Sequence, residues 1–454
     1  ATVGPFSSAL ASLLSSYDGF ATSISLLGDV DGDASTTEFA VGAESSLVDS
    51  RLSAGALYIL SITQQGSVSR ASKISAGIGG LPAGALSSFD YFGCALAHIG
   101  DLDGNPATTE LAVGARGDDA GGRASGAVYI LTLAMSGSTL QVQSHVKIAG
   151  NAYDEFGTAL CAPGDLNGDG IPDLIVGAPA RTAGRPGAIH ILHLARNGNR
   201  VSRIELSPSS WGTSAPYLAA DTLFGAAIAA SPLGGSSSTK IIAVGAPGGA
   251  SVAGQVLMLS LSQALPFPHI ATAYTLPAPS TLATGARYGE ALDFASDYDG
   301  NGAAELVVGA PSDGSKGSVA LHFMDSGGLR AYRTVVITAQ DALAAGAESV
   351  TKFGRAVVSL GLFNPEDIVS DLVIGSRYDS MPALPGTGML SFLFMGAASA
   401  PTYFPPSAPP QTEFTTRLAS PPPSPSSATS NATEPPSLPG LGGDATSQAL
   451  TTLD

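Results

Sequence analysis

Apolar residues occur along this chain in short runs, and the runs come in sets. Leu111-Ala112-Val113-Gly114-Ala115, Leu174-Ile175-Val176-Gly177-Ala178 and Leu306-Val307-Val308-Gly309-Ala310 each have the length of a buried strand and are bounded by turn residues. A shorter run precedes such a strand, as in Gly93-Cys94-Ala95-Leu96-Ala97. A glycine-rich turn and a third run follow, as at 126–131 and 187–192. A fourth, weaker run with polar alternation closes the set, as in Ser144-His145-Val146-Lys147-Ile148. Spacing of 3.6 is scarce, and residues 9–14 are the best helix candidate.

The sets repeat. Val-Gly-Ala recurs at Val41, Val113, Val176, Val244 and Val308, with Ile374-Gly375-Ser376 as a sixth copy. Ahead of the copies lie Phe20-Ala21, Phe92-Gly93, Phe156-Gly157, Phe224-Gly225, Tyr288-Gly289 and Phe353-Gly354. Four antiparallel strands per repeat is the content of a propeller blade, and a lone blade buries neither face. The pattern therefore predicts an all-β fold, a β-propeller of four-stranded antiparallel blades, over residues 1–400. Six blades are read from it. The last blade lacks a fourth strand, and Thr2-Val3 with their neighbours are expected to supply one as a clasp. From about Ala400 the composition shifts, and 401–454 reads as a proline-rich extended or disordered tail that buries no core.

Composition narrows the function. The net charge of −17 argues against nucleic acid, which needs clustered Lys and Arg. No run of 18 apolar residues is present, so no membrane span is expected. Two cysteines, Cys94 and Cys161, make no disulfide scaffold, and free buried thiols are expected over a single bridge. The chain begins at Ala1 with neither methionine nor signal sequence, as a processed secreted protein or a chain cut at an arbitrary boundary would. Asn431-Ala432-Thr433 is an N-glycosylation sequon for such a setting.

The candidate chemistry lies between the first and second runs. Asp165, Asn167 and Asp169 occupy alternate positions, Gly170 follows, and Asp173 ends the loop. Calcium takes six to eight oxygen ligands, and alternating side chains with a turning glycine supply them from a short segment. Related loops run from Asp29, Asp101 and Asp297. The alternative is an Asx-rich turn without metal, and magnesium fits less well because it retains water. The fourth unit has Ser231-Pro232-Leu233-Gly234-Gly235 and the sixth a misplaced Asn364, Glu366 and Asp367, so both are expected to be empty.

The aromatic-glycine and Gly-Ala-Pro signatures with these loops resemble the FG-GAP repeats of integrin α-subunit propellers, over roughly residues 15–400. The resemblance implies Ca²⁺ held between the first and second strands of some blades. It implies about four sites: Asp29, Asp31, Asp33 and Glu38; Asp101, Asp103, Asn105 and Glu110; Asp165, Asn167, Asp169 and Asp173 with the Ile171 carbonyl; and Asp297, Asp299, Asn301 and Glu305 with the Ala303 carbonyl. Integrin members have seven blades, which leaves seven open here. The tail resembles hydroxyproline-rich segments of plant and green-algal walls.

These features together lead to a secreted or cell-surface, non-catalytic propeller. It would act as a binding or structural module of a fibre, coat or matrix, with extracellular proteins, glycans or copies of itself as partners. The alternatives are a propeller lectin or an adhesion receptor head. No nucleophile elbow, Walker loop or HExxH motif points to an enzyme. Arg116-Gly117-Asp118 spells an integrin-ligand tripeptide, read as chance, and Asp118-Asp119 reads as a solvated turn. His190 and His193 lie on opposite faces of one strand and form no metal pair. Trp211 is a core residue, a rim residue or a sugar platform.

Overall fold

In the computed structural model, residues 10, 12–63, 67–179, 186–208, 218, 221–233, 239–248, 252–262, 269–339, 351–361, 370–376, 389–393 and 452–453 are described. They form six antiparallel sheets, each of four strands consecutive in the chain. The first blade holds β1 (Phe20–Gly28), β2 (Thr36–Ala43), β3 (Ala56–Thr63) and β4 (Val68–Ile74). The second holds β5 (Phe92–Gly100), β6 (Thr108–Ala115), β7 (Ala127–Ser136) and β8 (Thr139–Ala149). The third holds β9 (Ala159–Gly164), β10 (Asp173–Ala178), β11 (Ala188–Leu194) and β12 (Arg200–Leu206). The fourth holds β13 (Ala227–Ala230), β14 (Thr239–Ala246), β15 (Gln255–Ser262) and β16 (His269–Pro277). The fifth holds β17 (Ala291–Phe294), β18 (Leu306–Ala310), β19 (Ser318–Met324) and β20 (Ala331–Thr338). The sixth holds β21 (Phe353–Gly361), β22 (Asp371–Ser376), β23 (Met389–Leu393) and β24 (Thr452–Leu453).

First strands contact first strands around the ring, β1 through β5, β9, β13 and β17 to β21, and β21 meets β1 again. They are the inner wall. Second strands such as β10 are buried along their whole length, because a neighbouring blade covers each face. Fourth strands such as β12 and β20 alternate toward solvent at the outer edge.

The repeat signature is the joint between blades. Phe20, Phe92, Phe156, Phe224, Tyr288 and Phe353 are all fully buried. Five of them pair in parallel with a glycine of the preceding blade: Gly55 with Phe92, Gly126 with Phe156, Gly187 with Phe224, Gly254 with Tyr288 and Gly317 with Phe353. The Val-Gly-Ala glycine sits against the next blade's aromatic-glycine pair. A Cβ on Gly42, Gly114, Gly177, Gly245 or Gly309 would overlap the carbonyl oxygen of Gly93, Gly157, Gly225, Gly289 or Gly354. The sixth glycine, Gly375, stands in the same relation to Ala21, whose carbonyl oxygen lies 2.5 Å from where its Cβ would be. That contact closes the ring of the described residues at six blades.

The core is divided accordingly into clusters that each span two neighbouring blades. One of them joins the last blade to the first, with Phe39 edge-on to Phe392 at 6.3 Å. Leu10 and Leu14 plug this junction. The helix expected at 9–14 is here a single turn, in which the N–H groups of Leu13 and Leu14 bond the Leu10 carbonyl at 2.9 and 3.2 Å. The fourth strand of the last blade is β24, paired through Leu390↔Leu453 and Ser391↔Thr452. The C-terminal end of the chain therefore takes the place expected for Thr2-Val3, which lie outside the described residues. The rest of the 401–454 segment, with Asn431, also lies outside them, as does Trp211. No helix among the described residues is long and apolar enough to cross a membrane.

Both thiols are free, Cys94 buried and Cys161 half-buried, and burial pushes each up to about 12. The solvated-turn reading of Asp118 is corrected. Asp118 is buried, accepts a bond from the Tyr129 hydroxyl at 3.3 Å and pairs with Lys147. Arg116 is turned inward onto buried Glu44 at 3.2 Å and stacks on Tyr91. With both charged ends engaged in the fold, Arg116-Gly117-Asp118 is not a presented adhesion tripeptide.

Candidate metal centres

Each acidic loop connects the inner strand of a blade to its second strand, so all four hang from the same face of the ring. The inner strand ends with a positive-φ glycine in three of them, Gly28, Gly100 and Gly164. This turns the chain out before the first carboxylate. The second strand then begins at or beside the last carboxylate, which is drawn into the blade. Glu38, Glu110, Asp173 and Glu305 are all buried.

Three loops gather three carboxylates with oxygens within 4.8 Å of one another: Asp29, Asp31 and Glu38; Asp101, Asp103 and Glu110; Asp297, Asp299 and Glu305. Three like charges that close repel, and burial adds to the cost of ionising them. Burial, with Asp299 and Asp297 beside it, pushes the Glu305 carboxyl up to about 8. Burial raises Glu110 as well, with Asp103 and Asp101 adding to it, and Glu38, with Asp31 adding to it. A bound dication reverses this effect by stabilising the ionised forms.

The third loop is the most regular in sequence, yet its carboxylates do not form such a group. Asp165 is spent on the backbone, taking the N–H groups of Gly168 at 2.6 Å and Gly170 at 2.7 Å. Asn167 donates to Asp169 at 2.9 Å. Asp173 is buried, with its carboxyl raised by burial first and Asp169 among the further causes.

The remaining expected ligands are placed as follows. Asp33 turns away to Ser35, whose hydroxyl and N–H bond it at 2.6 and 3.1 Å and hold its carboxyl below the usual value. Asn105 caps Ala107 N–H at 3.2 Å and is exposed. Asn301 donates to the Met324 carbonyl at 2.7 Å and accepts from Ala303 N–H at 2.8 Å, and Ala303 is buried beneath the loop. The Ile171 N–H bonds Asp169 at 2.9 Å. In the fourth blade, Ser231 and Leu233 close a local turn with no carboxylate. Residues 364–367 of the sixth lie outside the described residues.

A fit to a cation is visible in atoms left without partners. One oxygen on each of Glu110, Asp173 and Glu305 is buried with no hydrogen-bond donor among the described residues. Buried acceptors are rarely left unmet, and an oxygen-seeking cation would meet these.

Two residues at these loops have no signal in the loop spacing. Arg70, on β4, reaches Asp31, and Tyr332, on β20, donates to Asp299. Both come from outer strands more than 30 positions along the chain, so only pairing register brings them in.

Comparison with known proteins agrees with this architecture. Residues 156–192 match the FG-GAP repeat family. Mouse and human integrin alpha-IIb are each 34% identical over 232 residues, covering 48% of this chain and 20% of the integrin. Integrin alpha pat-2 of Caenorhabditis briggsae is 36% identical over 73 residues, covering 15% of this chain and 6% of that protein. The chain thus spans about a fifth of the length of the integrin alpha-IIb relatives it matches. It is a six-bladed β-propeller that carries the FG-GAP repeat and is similar to integrin α chains over about half of its own length.

Proposed function

We propose that this chain is a calcium-stabilised, non-catalytic binding head of the extracellular space, an adhesion-type module that builds or joins a matrix, coat or fibre. In this reading Ca²⁺ is held by Asp101, Asp103, Asn105 and Glu110 in the second blade and by Asp297, Asp299, Asn301 and Glu305 with the Ala303 carbonyl in the fifth. Asp165, Asn167, Asp169 and Asp173 with the Ile171 carbonyl hold it in the third, and Asp29, Asp31, Asp33 and Glu38 in the first. The ions supply rigidity and charge balance to the loop face. The opposite face does the binding.

The observation that carries the reading is a set of displayed rings on that opposite face. Tyr17, Phe89 and Tyr153 each lie three residues ahead of their blade's buried aromatic and are 64%, 50% and 47% exposed. All three hold left-handed backbone, with φ of 64°, 67° and 67°. A non-glycine residue in that region costs roughly 1–2 kcal/mol. The positions are equivalent: Phe89 N–H bonds the Leu52 carbonyl at 2.7 Å, and Gly285 N–H bonds Val252 in the same way at 3.0 Å. In the fourth and fifth blades the place is held by Asp221 and Gly285. Among the described residues, aromatic display at this position is confined to three consecutive blades, which gives the face a direction. Exposed aromatics on a strained backbone mark a contact surface better than a packing role.

The test is a triple variant, Tyr17→Ser, Phe89→Ser and Tyr153→Ser, in the full chain. Sedimentation velocity should show calcium-tolerant self-association, or fluorescence anisotropy should show binding of a synthetic 401–440 peptide of this chain. Either should be lost in the variant while the circular dichroism and melting temperature hold. Glycan-array binding lost in the same variant would turn the reading to the lectin alternative. If the wild-type chain shows no association that depends on these rings, the reading falls.

A further inference from the structure

The four ion loops differ in one respect that their sequences conceal. In the second, third and fifth blades a buried carboxylate oxygen is left with no donor, on Glu110, Asp173 and Glu305. In the first blade the corresponding Glu38 is satisfied. Its two oxygens accept from Val30 N–H and the Thr36 hydroxyl, each at 3.3 Å. The loop also holds a cation already. The Arg70 guanidinium pairs with Asp31 and lies 3.7 Å from Asp33.

Register explains why the first of these four loops differs. Glu38 faces Ser61, and Ser61 faces Arg70, across β2, β3 and β4. The row through Glu110 in the second blade runs to Thr132 and then Ser144, neither of them charged. In the third blade the row ends at Ser202, which bonds His193 at 2.7 Å. The fifth blade has an arginine on this row too, Arg333, paired with Phe323. Its guanidinium lies over the Phe323 ring at 4.8 Å, and it is the neutral Tyr332 hydroxyl that reaches Asp299. Arg70 has a small serine beneath it instead of a ring, so its guanidinium extends over Ser61 into the loop.

We propose that Arg70 is a built-in counter-ion that makes the first loop the weak, displaceable calcium site. This rests on the reading that the loops hold Ca²⁺. Loops two, three and five each keep an unmet carboxylate oxygen, on Glu110, Asp173 and Glu305, and fill first. The first loop fills last, because an entering ion must break the Arg70 pairing to Asp31. A guanidinium–carboxylate bond of this kind lowers the apparent affinity by about tenfold or more. Arg70 is then released toward the cleft between the first two blades, beside Met135 and Leu140. Calcium at higher concentration would therefore change the charge of that cleft, and the other three sites would not.

Isothermal titration of the metal-free full chain with CaCl₂ tests this, together with terbium luminescence. Wild type should show three sites and a separate fourth step weaker by about tenfold or more. Arg70→Gln should bring the fourth step up to the others without lowering the melting temperature in saturating calcium. Asp31→Asn should abolish that step and keep the first three. Four equal sites in wild type, or a weak step that Arg70→Gln leaves in place, would overturn the Arg70 proposal with the ion reading intact. No calcium binding in either chain would overturn both.

Discussion

At each joint, a Val-Gly-Ala glycine lies against backbone of the next blade, and the contact recurs from Gly42 to Gly375. At the loop face, the same repeat unit takes different forms. One loop is paired to Arg70, two hold open carboxylate groups, one spends its first aspartate on its own backbone, and Ser231 and Leu233 replace carboxylates in the fourth. The difference teaches where a repeat is constrained. At the joint the neighbour is a carbonyl oxygen, which cannot move aside without opening the ring. At the loop face each turn satisfies its own N–H groups locally, so a lost ligand leaves the blade intact.

The strongest way to break this comparison is at a joint. Gly245→Val places a side chain into the Gly289 carbonyl and should cost about 3 kcal/mol or more. Gly84→Ala, where an added Cβ meets nothing within 4 Å, should stay within about 0.5 kcal/mol of wild type. Thermal unfolding of the two variants settles the matter. Equal melting points would mean that the joint is softer than its geometry implies.

A middle-sized effect is expected at the loops. With free calcium tenfold above the dissociation constant, each loaded site adds about 1.4 kcal/mol, so chelator should lower the melting temperature by several degrees. Glu305→Gln sharpens this. In chelator the variant should be more stable than wild type at pH 8, and in calcium it should be less stable. The sign follows from the Glu305 carboxyl, raised to about 8 in the folded chain from the ordinary 4.5. The folded state keeps a proton that the unfolded state releases, so metal-free wild type loses stability as pH rises from 4.5 through 8. A metal-free chain whose melting point is flat over that window would contradict the assignment.

The smallest effect returns to the joint. Ala21 stands where the other blades have glycine, with φ of 63°. Ala21→Gly should relieve the left-handed strain and raise stability by about 0.5 kcal/mol, after the greater freedom of an unfolded glycine is subtracted. Denaturant melts resolve a change of that size.

Much of this was legible from the chain alone. The aromatic-glycine pairs and Val-Gly-Ala runs are local and strictly ordered, so the blade, its four strands and the position of its acidic loop follow from spacing. The buried end of each loop was legible too, since Glu38, Glu110, Asp173 and Glu305 border apolar strands. Asp118 and Arg116 were not legible. Each is polar, in a glycine-rich turn, and its burial depends on Lys147 and Glu44 brought in by pairing and by the neighbouring blade. The fourth strand of the last blade was not legible either, because either chain end has the reach to enter that edge.

Sequence by itself therefore determined the unit: its period, its strands, its buried aromatic and the carboxylates at its loop. These are short-range properties, set by which residues lie a few positions apart. Tertiary structure alone decided that six units close on themselves through Gly375 and Ala21. It also decided that Arg70 pairs into the first loop while Arg333 lies over Phe323 in the fifth blade. Those outcomes depend on register across strands and on the angle summed around a ring, and neither is written in any one stretch of chain.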